Sequence, residues 1–294
     1  MIRLVLLSVA LVACVPELVD DTSVVREPRL LAARSEPAEA RPGDAITTTA
    51  LWVGPDGEIA DAPLAWAFCT TRKAFTEPGP VAPSCLASAA PELVAFGTGA
   101  TATGALPEHG CRLFGPDPPD PVPGEAAARP ADPDGTGGYY QPVRVGTDAR
   151  GSLAQVRIRC GLPEATPEQA LRYQLEYAAN TNPSVAWSAP PPATLRASEA
   201  VELAVQWPAT EAYLWFDPVA RALTERREAM RVAWFATAGT FDTGHTGRSE
   251  AEAALTKTAN RWTAPDAPGV VHVWAVLRDD RGGVSWIAAT LQVE

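Results

Sequence analysis

Five cysteines and three histidines are the side chains best suited to nucleophilic or metal chemistry in this chain of 294 residues. A zinc centre needs thiolates or imidazoles in close groups. Here Cys14, Cys69, Cys85, Cys111 and Cys160 form no CxxC pair, and His109, His245 and His272 stand at no ligand spacing from them. Nucleophilic catalysis needs an activated Ser or Cys with a base in reach. The chain has neither a GxSxG elbow nor an HExxH pair. His109 and His245 fall in Gly-bearing stretches and read as solvated loop residues. Asp242, Asp266, Asp279 and Asp280 supply the hard oxygen ligands that Ca²⁺ prefers, but their spacing matches no calcium loop, and they read as surface turns. The expectation is a chain without metal, cofactor or enzymatic activity.

The formal net charge is −11, with only two lysines, Lys73 and Lys257. No basic run offsets it, so neither nucleic acid nor an anionic lipid surface is an expected partner. Hydrophobic residues make up 46% of the chain, enough to bury a core. At the N-terminus, Arg3 precedes an apolar run from Leu4 to Val12. That run has the length of a signal-peptide core and falls short of the ~20 residues that span a bilayer. The four residues Leu11-Val12-Ala13-Cys14 resemble the lipobox of bacterial lipoproteins. The resemblance implies cleavage after Ala13, diacylation of the Cys14 thiol and acylation of the new amino terminus, which together anchor a protein stably. Val15 occupies the position where Asp signals retention at the inner membrane, so the outer membrane is the favoured address. Export to an oxidising compartment suits the four remaining cysteines, whose even number reads as two disulfides in one of three pairings.

The elements that carry these residues are mostly strands. Residues 15–28 show no periodicity and read with Cys14 as a tether, 14–28. Strand signals follow at Leu30–Ala33, Ala45–Val53 and Leu64–Phe68, and return at Tyr139–Val145 and Leu153–Cys160. Residues 70–138 between them read as a long insertion. Its segment Gly115–Gly138 holds too many prolines for ladder or helix and reads as a solvated polyproline-like loop. Cys160 shares a phase with Val156 and Ile158, whereas Cys69 is out of phase with Trp66 and Phe68. Side chains on opposite faces do not bond readily, so the preferred pairs are Cys69–Cys85 and Cys111–Cys160.

Thr166-Pro167-Glu168-Gln169 is a helix start with a capping box, and Asn180–Pro183 stops the helix, giving a helical linker over 164–182. Beyond it, Val201–Trp207, Met230–Trp234, Asn260–Pro265, Val270–Arg278 and Val284–Val293 alternate as strands, with Tyr213–Arg227 as a further insertion. Trp234 in a middle strand, the NRWTAP stretch and HVWAVLRDDRGG make this half resemble bacterial immunoglobulin-like or PKD-like β-sandwich modules. The first half matches less well, and no disulfide joins the sheets of the second. The chain as a whole also resembles multi-domain lipoproteins of GC-rich bacteria. The reading is a mainly β protein of two immunoglobulin-like sandwiches, 29–163 and 183–294, behind a signal peptide, 1–13.

One surface stands out. Val271, Val273, Ala275 and Leu277 form the inner face of the terminal hairpin, which leaves His272, Trp274 and Trp286 on the other face, joined by Arg231 and Phe235 from a neighbouring strand. Left open, such a patch is a binding face. The favoured alternative is that the 208–228 insertion or the first domain covers it, because soluble folds rarely leave two tryptophans exposed. The leading functional expectation is a non-catalytic lipoprotein of the cell envelope that binds a protein partner or acts as a scaffold. Stacking of a cell-wall glycan on tryptophan is the second. An envelope hydrolase is the third, and no motif supports it.

Overall fold

The computed structural model describes residues 22–74, 76–116, 135–148, 150–162 and 165–294. The residues read as a signal peptide, Cys14 and most of the Pro-rich loop lie outside the described residues. The protein is mainly β. In chain order the first half contains β1 (Arg29–Glu36), β2 (Glu39–Ala40), β3 (Ala45–Gly54), β4 (Gly57–Glu58), β5 (Ala65–Cys69), β6 (Leu93–Thr98), β7 (Thr101–Ala105), the short helix α1 (Gly110–Phe114), β8 (Gly138–Gly146) and β9 (Gly151–Arg159). One sheet places β3 beside β1, with β4 and β7 on its other edge. The second runs β2-β9-β8-β5-β6. Thr-rich β3 pairs hydroxyls across the ladder, Thr47 with Thr103 at 3.0 Å and Thr49 with Thr101 at 3.3 Å. The two sheets enclose one core built on Ile46, Trp52, Trp66, Phe68, Val143 and Ile158.

Residues 70–138 are therefore not one insertion. They contain β6 and β7, which complete the two sheets on β5 and β3. LVAFGT is an apolar run without alternation, and TATGA is five small residues with little apolar contrast, so each is a weak strand signal that contains a Gly. Both disulfides form as the strand phases predict, Cys69–Cys85 and Cys111–Cys160. Cys69 and Cys85 pack with Val81 and Ala82 in a satellite cluster. Cys111 and Cys160 pack against the main core on the sheet's other face.

Helix α2 (Pro167–Glu176) opens with the expected capping box, Thr166 and Gln169 bonding each other's backbone. It buries Tyr173 and Tyr177 and leaves Leu171 and Leu175 exposed. The second half follows with β10 (Ala186–Trp187), β11 (Thr194–Leu195), β12 (Ala200–Gln206), β13 (Ala212–Asp217), β14 (Ala222–Arg227), β15 (Met230–Ala236), β16 (Thr240–Phe241), β17 (His245–Arg248), β18 (Lys257–Thr263), β19 (Gly269–Asp279) and β20 (Val284–Val293). Sheets β10-β12-β18-β16 and β11-β20-β19-β15-β17 share a core around Trp234, Trp262, Val273 and Leu291. The stretch read as a second insertion is the hairpin β13-β14, which packs on α2 through Tyr213 and Leu214. His245 opens β17 instead of lying in a loop, and His109 precedes α1.

The described end of the expected tether is also structured. Val25 is fully buried. Its amide donates to Ala236 O at 2.8 Å, and the Ala236 amide donates to Ser23 O at 2.9 Å. Apolar burial and two backbone bonds hold this segment against β15.

Candidate functional site

The face chosen from the sequence forms, but it is not an open platform. Outer residues of β15 and β19 pair as predicted, Phe235 opposite Trp274 and Arg231 opposite Arg278. Trp286 lies diagonal to Trp274, opposite Val276. The outer faces of β1 and β3 then cover this sheet: Leu31, Ala32, Leu51 and Val53 pack with Val25, Ala233, Trp274, Val276 and Val284. Trp274 is only 1% exposed. Trp286 is half-buried with the Arg34 guanidinium 5.1 Å from its ring, and Arg29 lies 5.5 Å from the Phe235 ring. His272 sits against the Gly57 turn and pairs Nδ1 with Thr290 Oγ1 at 3.1 Å. Of the five residues, Arg231 alone is exposed. The favoured reading therefore holds: the first half covers the patch, which is an internal seam between the halves. None of the nine tryptophans is exposed: six are buried, and Trp187, Trp215 and Trp286 are half-buried.

The other end of the seam is ionic. Sequence reading missed it, because Arg157 alternates with apolar Val156 and Ile158 and looks solvent-facing, and Arg281 lies in an apparent surface turn. Both are buried. Glu39 on β2 accepts from Arg157 Nε at 3.2 Å, the Tyr177 hydroxyl at 2.8 Å and the Asn180 amide at 3.2 Å. Arg281, in the β19-β20 turn, donates to Glu228 Oε1 at 2.7 and 2.9 Å, to Glu211 Oε2 at 2.5 Å and to Ala178 O at 2.9 Å. Its guanidinium lies 4.7 Å from the Tyr213 ring. Asp279 shapes that turn by accepting from the amides of Arg281 and Gly283, and it also takes Asn180 Nδ2. Tyr173 donates to Thr136 O at 2.6 Å, and Arg157 reaches Thr136 Oγ1. Six segments of the chain thus meet in one polar network.

Its electrostatics follow from burial. Loss of water and the neighbouring Asp279 charge push the Glu228 carboxyl up to about 7, despite Arg281. Burial raises Asp279 as well. The Tyr177 hydroxyl is pushed up to about 12 by burial, with the Glu39 charge adding to it. Buried ion pairs of this kind add little net stability, yet breaking one is costly. They do define a single geometry for the groups they join, so the network works as a joint.

A separate open cleft of about 590 Å³ is lined by Ala60–Ala65, Thr98–Ala100 and Asp148. Its ionisable residues are Asp61 and Asp148, both exposed. Among the described residues, no three His, Cys, Asp or Glu side chains converge as metal ligands. Asp266 accepts from the Ser198 hydroxyl and Asp279 serves its turn, so the four loop aspartates do not gather.

No known family profile and no curated protein matches the chain. Among solved structures, the Escherichia coli alpha-2-macroglobulin activated by porcine elastase is 11% identical, with a TM-score of 0.24 over 92% of this chain and 22% of that one. The Yersinia pseudotuberculosis adhesin InvE is 12% identical, with a TM-score of 0.23 over 90% of this chain and 58% of that one. A nucleoside hydrolase-related protein from Saccharophagus degradans is 12% identical, with a TM-score of 0.26 over 48% of this chain and 35% of that one. The chain spans well under two thirds of each of these structures, and scores this low carry no argument about fold or role.

Proposed function

We propose that this chain is an exported lipoprotein, anchored through acyl groups on Cys14, whose two immunoglobulin-like sandwich modules form one rigid, non-catalytic binding or scaffold unit of the cell envelope. The observation that carries this reading is the seam. Modules in one chain move freely unless their interface is large and apolar. Here Trp274 and its neighbours bury apolar surface between the halves, and the Arg281 and Arg157 networks add directional bonds. The buried ionic groups of the seam are engaged with one another. Two sheets around a core in each half support the sandwich reading. No described helix is long and apolar enough to cross a membrane. A glycan platform finds no exposed tryptophan to build on.

The test expresses the full chain and its Cys14→Ser variant in a Gram-negative host. The wild type should fractionate with outer membranes and carry acyl chains by mass spectrometry, and the variant should leave the membrane fraction. Scattering on the variant should fit one rigid particle. A variant that stays membrane-bound ends the anchor reading, and a scattering profile that requires hinge motion ends the rigid-unit reading.

A further inference from the structure

In a protein of net charge −11, strands β15, β17 and β19 bring two arginines and a histidine onto one sheet face. Arg231 on β15 stands directly opposite Arg278 on β19. Directly opposite residues have Cβ atoms about 4.5–5.5 Å apart, and like charges there destabilise a sheet. Neither arginine forms an ion pair among the described residues. Arg278 donates to Leu31 O at 2.8 Å, and Arg231 is exposed with no hydrogen-bond partner. On the other side of Arg231 its ladder partner is Gly247. His245, opposite Ala233, projects from the same face one row away. Two further cations border that face, Arg34 over Trp286 and Arg29 over Phe235.

Among the described residues, no carboxylate acts on His245 or Arg278. Burial lowers both His245 and Arg278. After burial, Arg231 and Arg278 are the charges that act on His245, and Arg231 is the charge that acts on Arg278. Two guanidinia juxtaposed beside an imidazole, with no carboxylate paired to any of the three among the described residues, leave this face electrostatically unbalanced. Guanidinium forks match tetrahedral oxyanions in shape and donor geometry.

We infer that Arg231, Arg278 and His245 form a binding site for a phosphate-monoester group. A dianion would sit between the two guanidinia and offset their repulsion. The inference rests on this sheet face and is independent of the lipoprotein reading.

The test uses the purified full chain in a non-ionic detergent at about pH 8, where phosphate is mainly the dianion, with inorganic phosphate compared against chloride at equal ionic strength. Short-chain phosphatidate supplies a lipid arm. Phosphate should raise the melting temperature by about 2–4 °C, and should raise the His245 pKa measured by NMR. Arg231→Gln should raise the melting temperature without phosphate, move His245 back toward its ordinary value and abolish the phosphate response. A response to phosphate, or to phosphatidate, supports the site and tells a free phosphoryl ligand from a headgroup. If both ligands act like chloride, or if Arg231→Gln lowers the melting temperature, the site does not exist.

Discussion

Arg281 aims both Nε and Nη2 at one oxygen of Glu228, at 2.9 and 2.7 Å, and water reaches neither side chain. The same guanidinium holds Glu211 and a carbonyl of the linker. A single residue of the last hairpin turn therefore ties the linker, the β13-β14 hairpin and the second sheet pair together.

Replacing Arg281 by Met leaves Glu228 buried without its cation. The expected loss is about 3–5 kcal/mol, read as a lower urea midpoint with unchanged slope. The double variant Arg281→Met with Glu228→Leu should recover most of it, because no unpaired buried charge remains. A single variant as stable as the wild type would show that the pair is not shielded from water.

The pH response has a definite sign. The Glu228 carboxyl lies at about 7 when folded, above its ordinary 4.5. A raised carboxyl binds its proton more tightly in the folded state. The stability this adds is complete below about pH 4.5 and is lost as pH rises through 7. Wild-type stability should therefore increase from pH 8 to pH 5 by about 1–3 kcal/mol. Glu228→Gln should flatten that slope. Carboxylates such as Glu250, held low by Arg226, oppose the trend only at more acid pH.

The two disulfides should differ in access and in contribution. Cys69 and Cys85 are buried, whereas Cys111 and Cys160 are half-buried. Mild reductant followed by alkylation should label Cys111 and Cys160 first. The sequence separations are 16 and 49 residues. Chain-entropy arguments then give losses of about 3 and about 4 kcal/mol for the corresponding Cys→Ser pairs. Mass spectrometry of the labelled peptides checks the order.

Trp274→Ala should remove the central side chain of the seam. The expected cost is about 3–5 kcal/mol. Hydrogen exchange should speed up at the Val25 and Ala236 amides, which bridge the N-terminal segment to β15. Half-buried Trp286→Ala should cost less and leave those amides protected. Equal effects from both variants would mean that the seam does not centre on Trp274.

Much of the architecture was legible because it depends on near neighbours. Alternation in VELAVQW and HVWAVL marks strands, the Thr166–Gln169 capping box marks the helix start, and the phases of Cys69 and Cys160 select the disulfide pairs. Strands β6 and β7 escaped because an apolar run without alternation and a stretch of small residues hide the period. Cover over Trp274 was inferable because soluble folds rarely leave two tryptophans exposed, but the ionic end of the seam escaped: Arg157 and Arg281 occupy a face and a turn that local pattern assigns to solvent, and only tertiary contact shows them buried.

The sequence by itself determined the strands, the helix cap, the cysteine pairing and the inner face of the terminal hairpin, since each follows from residues a few positions apart or from the parity of a strand. Tertiary structure alone decided what happens to the outer faces. Arg278 meets Leu31 across 247 residues, and Tyr177 meets Glu39 across 138. Whether a charge is solvated or a tryptophan exposed depends on which surface arrives opposite it, and a one-dimensional period carries no information about that partner.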